Sequence, residues 1–528
     1  MEGAGVELAM AKGWQTGMVV IIYILVLLFI GIYVSRGMKS AKDFFIGGAS
    51  IGPWFVAFSA AASFMSGWGF VGGPGQIYQN GYSPMLVLEL FALIGMGLSY
   101  FLVAVPIRKM VNQYKILTIP DAIRARFSNE RAAKVIALGI FIGVFPYMLA
   151  QYLAMGYIGQ TVFGFEFWQG CLIGVVIMIA YSTLGGIKAS IYSEFLQASL
   201  MCVGAVAMLI MGLKVCGGWT NCFSTLSSIP EYMDIFKSSF QGGGSAWGML
   251  SWALMFGLGV SSAPHVISRF YAIKKASYLK QALVVSLVVL LLFDFAEWSG
   301  FWMRYLVEVG TVPPLSKPDL AGPTFVMFTF GSVGAGLMVG AILSGIMSTV
   351  NSFMVTATST VIRDFITPYL KKQGRVLTAK QELYISRYGM VVVALIPLPF
   401  IFNPPQLLMW IAAAAWGIWV ATIFPPLVFT LRWKRTTSNG VFWGATMGLS
   451  SSLLLSLLKE FANIHTVIEP GAWGMIIGCT SLIVVSLVGV KEKETHQIID
   501  TISESVSEIR PLPMRPEPVA VVVPYSEK

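Results

Sequence analysis

Charge is what this chain has least of. Only 11% of its 528 residues are Asp, Glu, Lys or Arg, against about 25% in a soluble globular protein, so the polar surface needed to cover a fold in water is missing. That scarcity excludes a secreted domain, a disordered protein and a nucleic-acid binder, although the formal net charge is +10. Histidine and cysteine are also sparse. His265, His465 and His496, with Cys171, Cys202, Cys216, Cys222 and Cys479, show no metal-ligand spacing. No nucleophile elbow, Walker loop, HExxH or dinucleotide fingerprint stands in a fitting context. An enzyme is not expected.

Hydrophobic residues make up 56% of the chain, in runs long enough to cross a bilayer. The runs read as thirteen spans, over approximately 17–35, 51–73, 83–106, 135–162, 167–184, 190–213, 246–267, 281–303, 325–361, 387–402, 405–431, 438–458 and 467–490. The first has no basic n-region and no small-residue cleavage site, so it reads as a span rather than a signal peptide. With the N-terminus outside, thirteen crossings leave only Lys12, Lys214, Lys237, Arg304, Lys317 and Lys459 of the 35 basic residues on the outer side. That asymmetry puts the C-terminus in the cytoplasm and the chain in the cell (inner or plasma) membrane. Cys216 and Cys222 then share an outward loop, where a disulfide and two free thiols are both open. The tail over 491–528, with five prolines, reads as mostly disordered and too short for a signalling domain.

Two spans are interrupted. The second contains Ala62-Ser63-Phe64-Met65-Ser66-Gly67-Trp68 and then Val71-Gly72-Gly73-Pro74-Gly75; the seventh contains Phe256-Gly257-Leu258-Gly259-Val260-Ser261-Ser262-Ala263-Pro264. They lie five spans apart, the spacing of two five-helix repeats, and an odd number of helices inverts the second copy. Where a helix unwinds in the membrane its carbonyls need new partners, and a hard cation such as sodium favours oxygen ligands. Half-helix N-termini suit a substrate carboxylate. The ninth span adds Ser344, Gly345, Ser348 and Thr349, whose hydroxyls can complete such a cage or bond back to their own helix.

At these residues the chain resembles the sodium:solute symporter family over about residues 17–490. The resemblance is carried by Phe45–Trp54 continuing through Ala62–Trp68, by Leu117–Asp121 before Arg126-Phe127, and by Gly185–Ala189 with Ser193-Glu194 and Gln197. Pro264-His265 with Arg269-Phe270, and Ile346–Thr349 with Arg363–Phe365, complete it. Val71–Gly75 and Pro404–Trp410 lean toward the pantothenate permeases of that family. The resemblance implies an all-α membrane protein with a five-plus-five inverted-repeat core of the LeuT type. It implies sodium ligands from the Ala62, Met65 and Gly345 carbonyls and the Ser348 and Thr349 hydroxyls. The solute is expected between Ser66, Gly67 and Trp68 and the region of Phe256, Val260 and Pro264. Where proline permeases of the family carry an aspartate, this chain has Phe64.

The domain reading follows: an N-terminal end, extra helix and linker over 1–50, repeats over 51–213 and 246–431 separated by an outward loop at 214–245, two further helices over 432–490, and the tail. Four acids fall inside spans. Glu194, expected near the cytoplasmic end beside Lys188, and Asp294 and Glu297, at i and i+3 on one helical face, are candidates for a second cation or proton site. Glu89 is expected near the outer interface. The function expected is sodium-coupled symport, by alternating access, of a small organic solute: an amino acid, a carboxylate or a quaternary amine, the last held by some of the many aromatic rings. Proton coupling through Asp294, Glu297 or Glu194, and a non-transporting sensor, are the alternatives.

Overall fold

The computed structural model describes residues 3–35, 50–114, 116–230, 232–234, 245–402 and 408–490. Among them the chain is helical throughout, apart from one isolated bridge between Ile51 and Ile273. Helix is the form that satisfies every backbone amide within its own segment, which a lipid environment demands. Polar caps stand at the ends outside the apolar runs. Thr118 and Asp121 form a reciprocal capping box before Ile119–Phe127, and Asn129 and Thr437 cap the helices that begin at Glu130 and Ser438.

Among the described residues, eleven helices are long and apolar enough to cross a membrane, and a bent pair, Pro53–Met65 with Trp68–Asn80, makes twelve. The run expected over 167–184 is present as Phe167–Thr183, at 17 residues short of the ~20 that a perpendicular crossing requires. The ninth run is divided where continuity was expected. Ala321–Thr329 is a separate short helix, Phe330 and Gly331 are extended, and a new helix runs over Ser332–Thr360.

Three spans, Ala246–Ala272, Ser332–Lys372 and Ile411–Arg432, are enclosed on nearly all faces, while Trp14–Tyr33 and the last two helices leave most of their surface free. Small residues set the approach. A Cβ on Gly95 would lie 1.9 Å from the Gly257 carbonyl oxygen, so the Ser83–Ser99 and Ala246–Gly259 helices touch backbone to backbone, a packing that glycine alone permits. At one end the two interrupted spans are tied together. The Ile51 amide donates to the Ala272 carbonyl (3.0 Å) and the Lys274 amide to Ile51 (2.8 Å).

Candidate ion and solute site

The first interruption begins at Ser66. Its φ of 55° and ψ of −167° lie where a side chain is disfavoured, a strain of order 1–3 kcal/mol that only surrounding structure can hold. The two half-helices diverge by 52°, with a π turn over Trp68–Gly72 between them. The exposed amides are capped at once. Gly67 N donates to Gln151 Oε1 (2.7 Å), Trp68 N to Ser66 Oγ (3.0 Å), and Ser66 Oγ meets the Tyr147 hydroxyl at 3.1 Å.

The carbonyls of the same break face the Ser332–Thr360 helix. Ser348 Oγ lies 3.1 Å from the Ala62 oxygen and 3.0 Å from that of Gly345; Thr349 Oγ1 lies 3.2 Å from the Ser63 oxygen and 3.0 Å from Gly345. All these residues are buried. Gly345 is required by the approach, since a Cβ there would lie 2.7 Å from the Ser66 oxygen. The donor set is neutral oxygen throughout, which suits an alkali cation and no softer metal.

In the other interrupted span, Ala246–Gly259 tightens into a 3₁₀ turn over Val260–Ser262, Ala263 is extended, and a new helix starts at Pro264. Proline at this first position forfeits no bond the helix would have made. Beside the first break, and against Phe256 of the helix that precedes the second, lies a cavity lined by Phe64, Trp68, Tyr147, Phe256 and Trp416 and by the acids Glu89, Asp294 and Glu297, with Met65, leucines and other apolar residues between them. Trp68 and Phe256 pack at 5.1 Å between ring centroids, Phe256 and Trp416 at 5.5 Å, and Phe64 and Trp416 at 5.6 Å.

A model of the sodium:solute symporter family matches residues 44–448. The chain belongs to that family. It is a membrane transporter, multi-pass and not an enzyme, and family membership supports coupling to sodium. A sodium/proline symporter of Staphylococcus aureus (strain JH9) is 28% identical over 96% of this chain and 98% of its own length. Among solved structures, a Na+-coupled sialic acid symporter in a substrate-bound outward-open state aligns at 18% identity over 92% of this chain and all of its own, with a TM-score of 0.74. A nucleobase-cation-symport-1 family transporter with bromovinylhydantoin bound aligns at 14% identity over 87% of this chain and 98% of its own, with a TM-score of 0.51. Both show a shared fold.

Within this symporter fold, the residues expected at an ion site fall together. Ala62, Gly345, Ser348 and Thr349 share one node, and Met65 closes the half-helix beside it and reaches the cavity. The residues expected at the solute divide. Trp68 and Phe256 line the cavity; Ser66 and Gly67 are engaged by Tyr147 and Gln151; Val260 is buried in the 3₁₀ turn; Pro264 lines a separate cavity with Thr118, Ser359 and Thr360.

The acids separate as well. Asp294 and Glu297 line the aromatic cavity, but Glu194 does not join them. Its Oε1 accepts from Arg269 Nη2 at 2.7 Å, and Ser59, Ser190 and Ser352 donate to the same carboxylate. Glu194 is fully buried. Glu89, expected near the outer interface, lines the same cavity, where its carboxyl meets that of Glu297 and accepts from the Tyr82 hydroxyl at 2.8 Å. Tyr147 and Trp416 gave no signal in the sequence. Cys216 and Cys222 are thiols whose side chains meet. Residues 36–49, the surroundings of Gly185 and Gly186, the side chain of Lys188, the 404–406 stretch with the Trp410 side chain, and the 491–528 tail lie outside the described residues.

Proposed function

We propose that this protein carries a small organic solute into the cell together with sodium, the ion held by the Ala62, Met65 and Gly345 carbonyls and the Ser348 and Thr349 hydroxyls. The observation that carries this reading is the convergence of Ala62, Ser63 and Gly345 oxygens on those two hydroxyls at 3.0–3.2 Å, at the point where the first broken helix meets the Ser332–Thr360 helix. An ion there ties the strained break to a neighbouring helix and orders Trp68, two residues on, against the cavity. Asp294 and Glu297 remain a second cation or proton site on this reading, and Glu194 is a structural partner of Arg269.

The topology proposed with it has thirteen crossings, N-terminus outside and C-terminus inside, with 51–213 and 246–431 as inverted repeats. The position of the two interruptions, at corresponding places in those segments, supports it. Alternating access then consists of one repeat rocking against the other. On the cytoplasmic side, as that topology has it, Arg124 pairs with Asp364, and Thr118 lies 3.4 Å from the same carboxylate; inward opening must part these contacts. A potential of ~100 mV contributes ~2.3 kcal/mol per charge, so one co-transported sodium supports roughly fifty-fold accumulation of a neutral solute.

The test is uptake into proteoliposomes at clamped pH with and without a sodium gradient, in the wild type and in the double variant Ser348→Ala, Thr349→Ala. Two lost oxygen ligands at about 1 kcal/mol each should raise the sodium concentration for half-maximal uptake about 10- to 30-fold. Uptake that follows the proton gradient alone would favour the proton-driven alternative through the cavity acids.

A further inference from the structure

We infer that the solute is a protonated amine, its ammonium group seated between Glu89, Asp294 and Glu297 and its carbon skeleton against Trp68, Phe256 and Trp416. This rests on the transporter reading above and specifies its cargo. The cavity presents three carboxyls, and among the described residues no Lys, Arg or His lines it. Glu297 is buried to 2% exposure, and no N–H or O–H of the chain reaches its Oε2 or Glu89 Oε1; these two carboxyls meet each other, a contact that needs a proton or a cation between them. Buried polar atoms in native structures are paired almost without exception, and desolvated carboxylates demand a cation. The chain supplies none at this place.

Three further features select the kind of cation. First, the backbone amides of the break are taken by Gln151 and Ser66, so a solute carboxylate finds no free amide there, and three carboxyls repel it. Second, the unpartnered atoms are acceptors. An N–H of a protonated amine satisfies them and a quaternary ammonium cannot. Third, the remaining lining is aromatic, which favours an organic cation through its ring faces and offers nothing to a bare alkali ion that seeks oxygen. The site is also built into the moving part. A Cβ on Gly73, at the start of the second half-helix, would lie 2.8 Å from the Glu297 carboxyl carbon, and Trp68 lies against the same carboxyl. An ammonium at Glu297 therefore touches the broken helix that carries the proposed sodium ligands.

The experiment uses the full chain, purified in lipid nanodiscs, and reads tryptophan fluorescence, since Trp68 and Trp416 line the cavity. The probes at fixed pH and sodium are phenethylammonium, butylammonium, tetramethylammonium, L-proline and phenylpropionate. The two primary amines should give saturable changes, with tetramethylammonium weaker and proline and phenylpropionate silent. Glu89→Gln and Glu297→Gln should each weaken phenethylammonium binding tenfold or more, and Gly73→Ala, which displaces the carboxyl without removing its charge, should weaken it severalfold. Silence of both amines, an equal response to phenylpropionate or proline, or amine binding unchanged in the Glu89→Gln, Glu297→Gln double variant overturns the assignment, as does a second saturable sodium response with no amine response. Sodium titrated without any solute, in wild type and in Ser348→Ala, Thr349→Ala, reports the ion site separately. If the amines are silent while the sodium response is intact and lost in that variant, the amine assignment fails and the ion reading stands; the reverse pattern fails the ion reading alone.

Discussion

Two groups of buried acids occupy the middle of this transporter, and they differ in one respect that decides what each is for. Glu194 has its cation built in. Arg269 is itself fully buried and is tied at every nitrogen, through Nε to Ser59, Nη1 to Ser268 and the His265 carbonyl, and Nη2 to Glu194, Ser190 and Ser352. The group is neutral, saturated and closed. Glu89, Asp294 and Glu297 have comparable surroundings, helices and aromatic rings, but no internal cation and two acceptors without donors. A chain that can pair a buried carboxylate so completely at one place, and leaves three carboxyls without a cation at another beside a cavity, separates a structural pin from a receptor for something brought in from outside.

That contrast can be broken by substitutions of opposite sign. Arg269→Gln strands Glu194 in the interior, and removal of one partner of a buried ion pair costs about 3–5 kcal/mol. The expected outcome is a large fall in thermal stability, with part of it recovered in the Arg269→Gln, Glu194→Gln double variant. An unchanged melting temperature in the single variant would mean that the pair pins nothing. Glu297→Gln should do the reverse. Removing one of three crowded carboxyls relieves like-charge repulsion and desolvation together, so stability without solute should rise, by roughly 1–3 kcal/mol, even as amine binding falls. A loss of stability there would show that the acid is a structural member like Glu194.

Much of this architecture was legible because its signals are local. A span announces itself by an apolar run, and the ion node comes from two short segments, Ala62–Met65 and Gly345–Thr349, each within about a turn of helix. The errors fall where information is long-range or rotational. Arg269 is the partner of Glu194 at a sequence distance of 75 residues, and nothing near either residue names the other. Glu89 sits in a helix apolar on nearly all faces, so no polar stripe fixes which side turns inward to the cavity. The run over 325–361 stays apolar straight through Phe330 and Gly331, where the chain nonetheless turns, because apolar character reports the environment and not the backbone. Tyr147 and Gln151, which engage the first break, lie on the Glu130–Phe163 helix after Pro146, where an internal proline and a lone amide in an apolar run mark the stretch but do not name the partner.

Asp319 is the intermediate case, and it sharpens the comparison with the smallest effect. It lies outside the membrane-crossing helices, 1% exposed. Burial pushes its carboxyl up to about 7, against the opposing pull of the Leu408 amide, the Tyr157 side chain and the Lys317 charge. Leu408 N donates to Oδ2 at 3.3 Å, while Oδ1 lacks a donor and lies where a Cβ on Gly75 would come within 2.8 Å. The acid is thus partly paired, more than Glu297 and less than Glu194. Since its folded value is raised above the ordinary aspartate value, the native state holds the proton longer than the unfolded chain does. Its contribution is fully present at low pH and is lost as pH rises through about 7. Between about pH 6 and pH 8 the wild type should lose about 1.4 kcal/mol through this group alone. Asp319→Asn keeps an acceptor for the Leu408 amide and cannot titrate, so its stability advantage over the wild type should widen by that amount across the same window. Parallel pH profiles for the two proteins would show that Asp319 is as well paired as Glu194, and that partial pairing at the end of the Gly73–Asn80 half-helix has no energetic consequence.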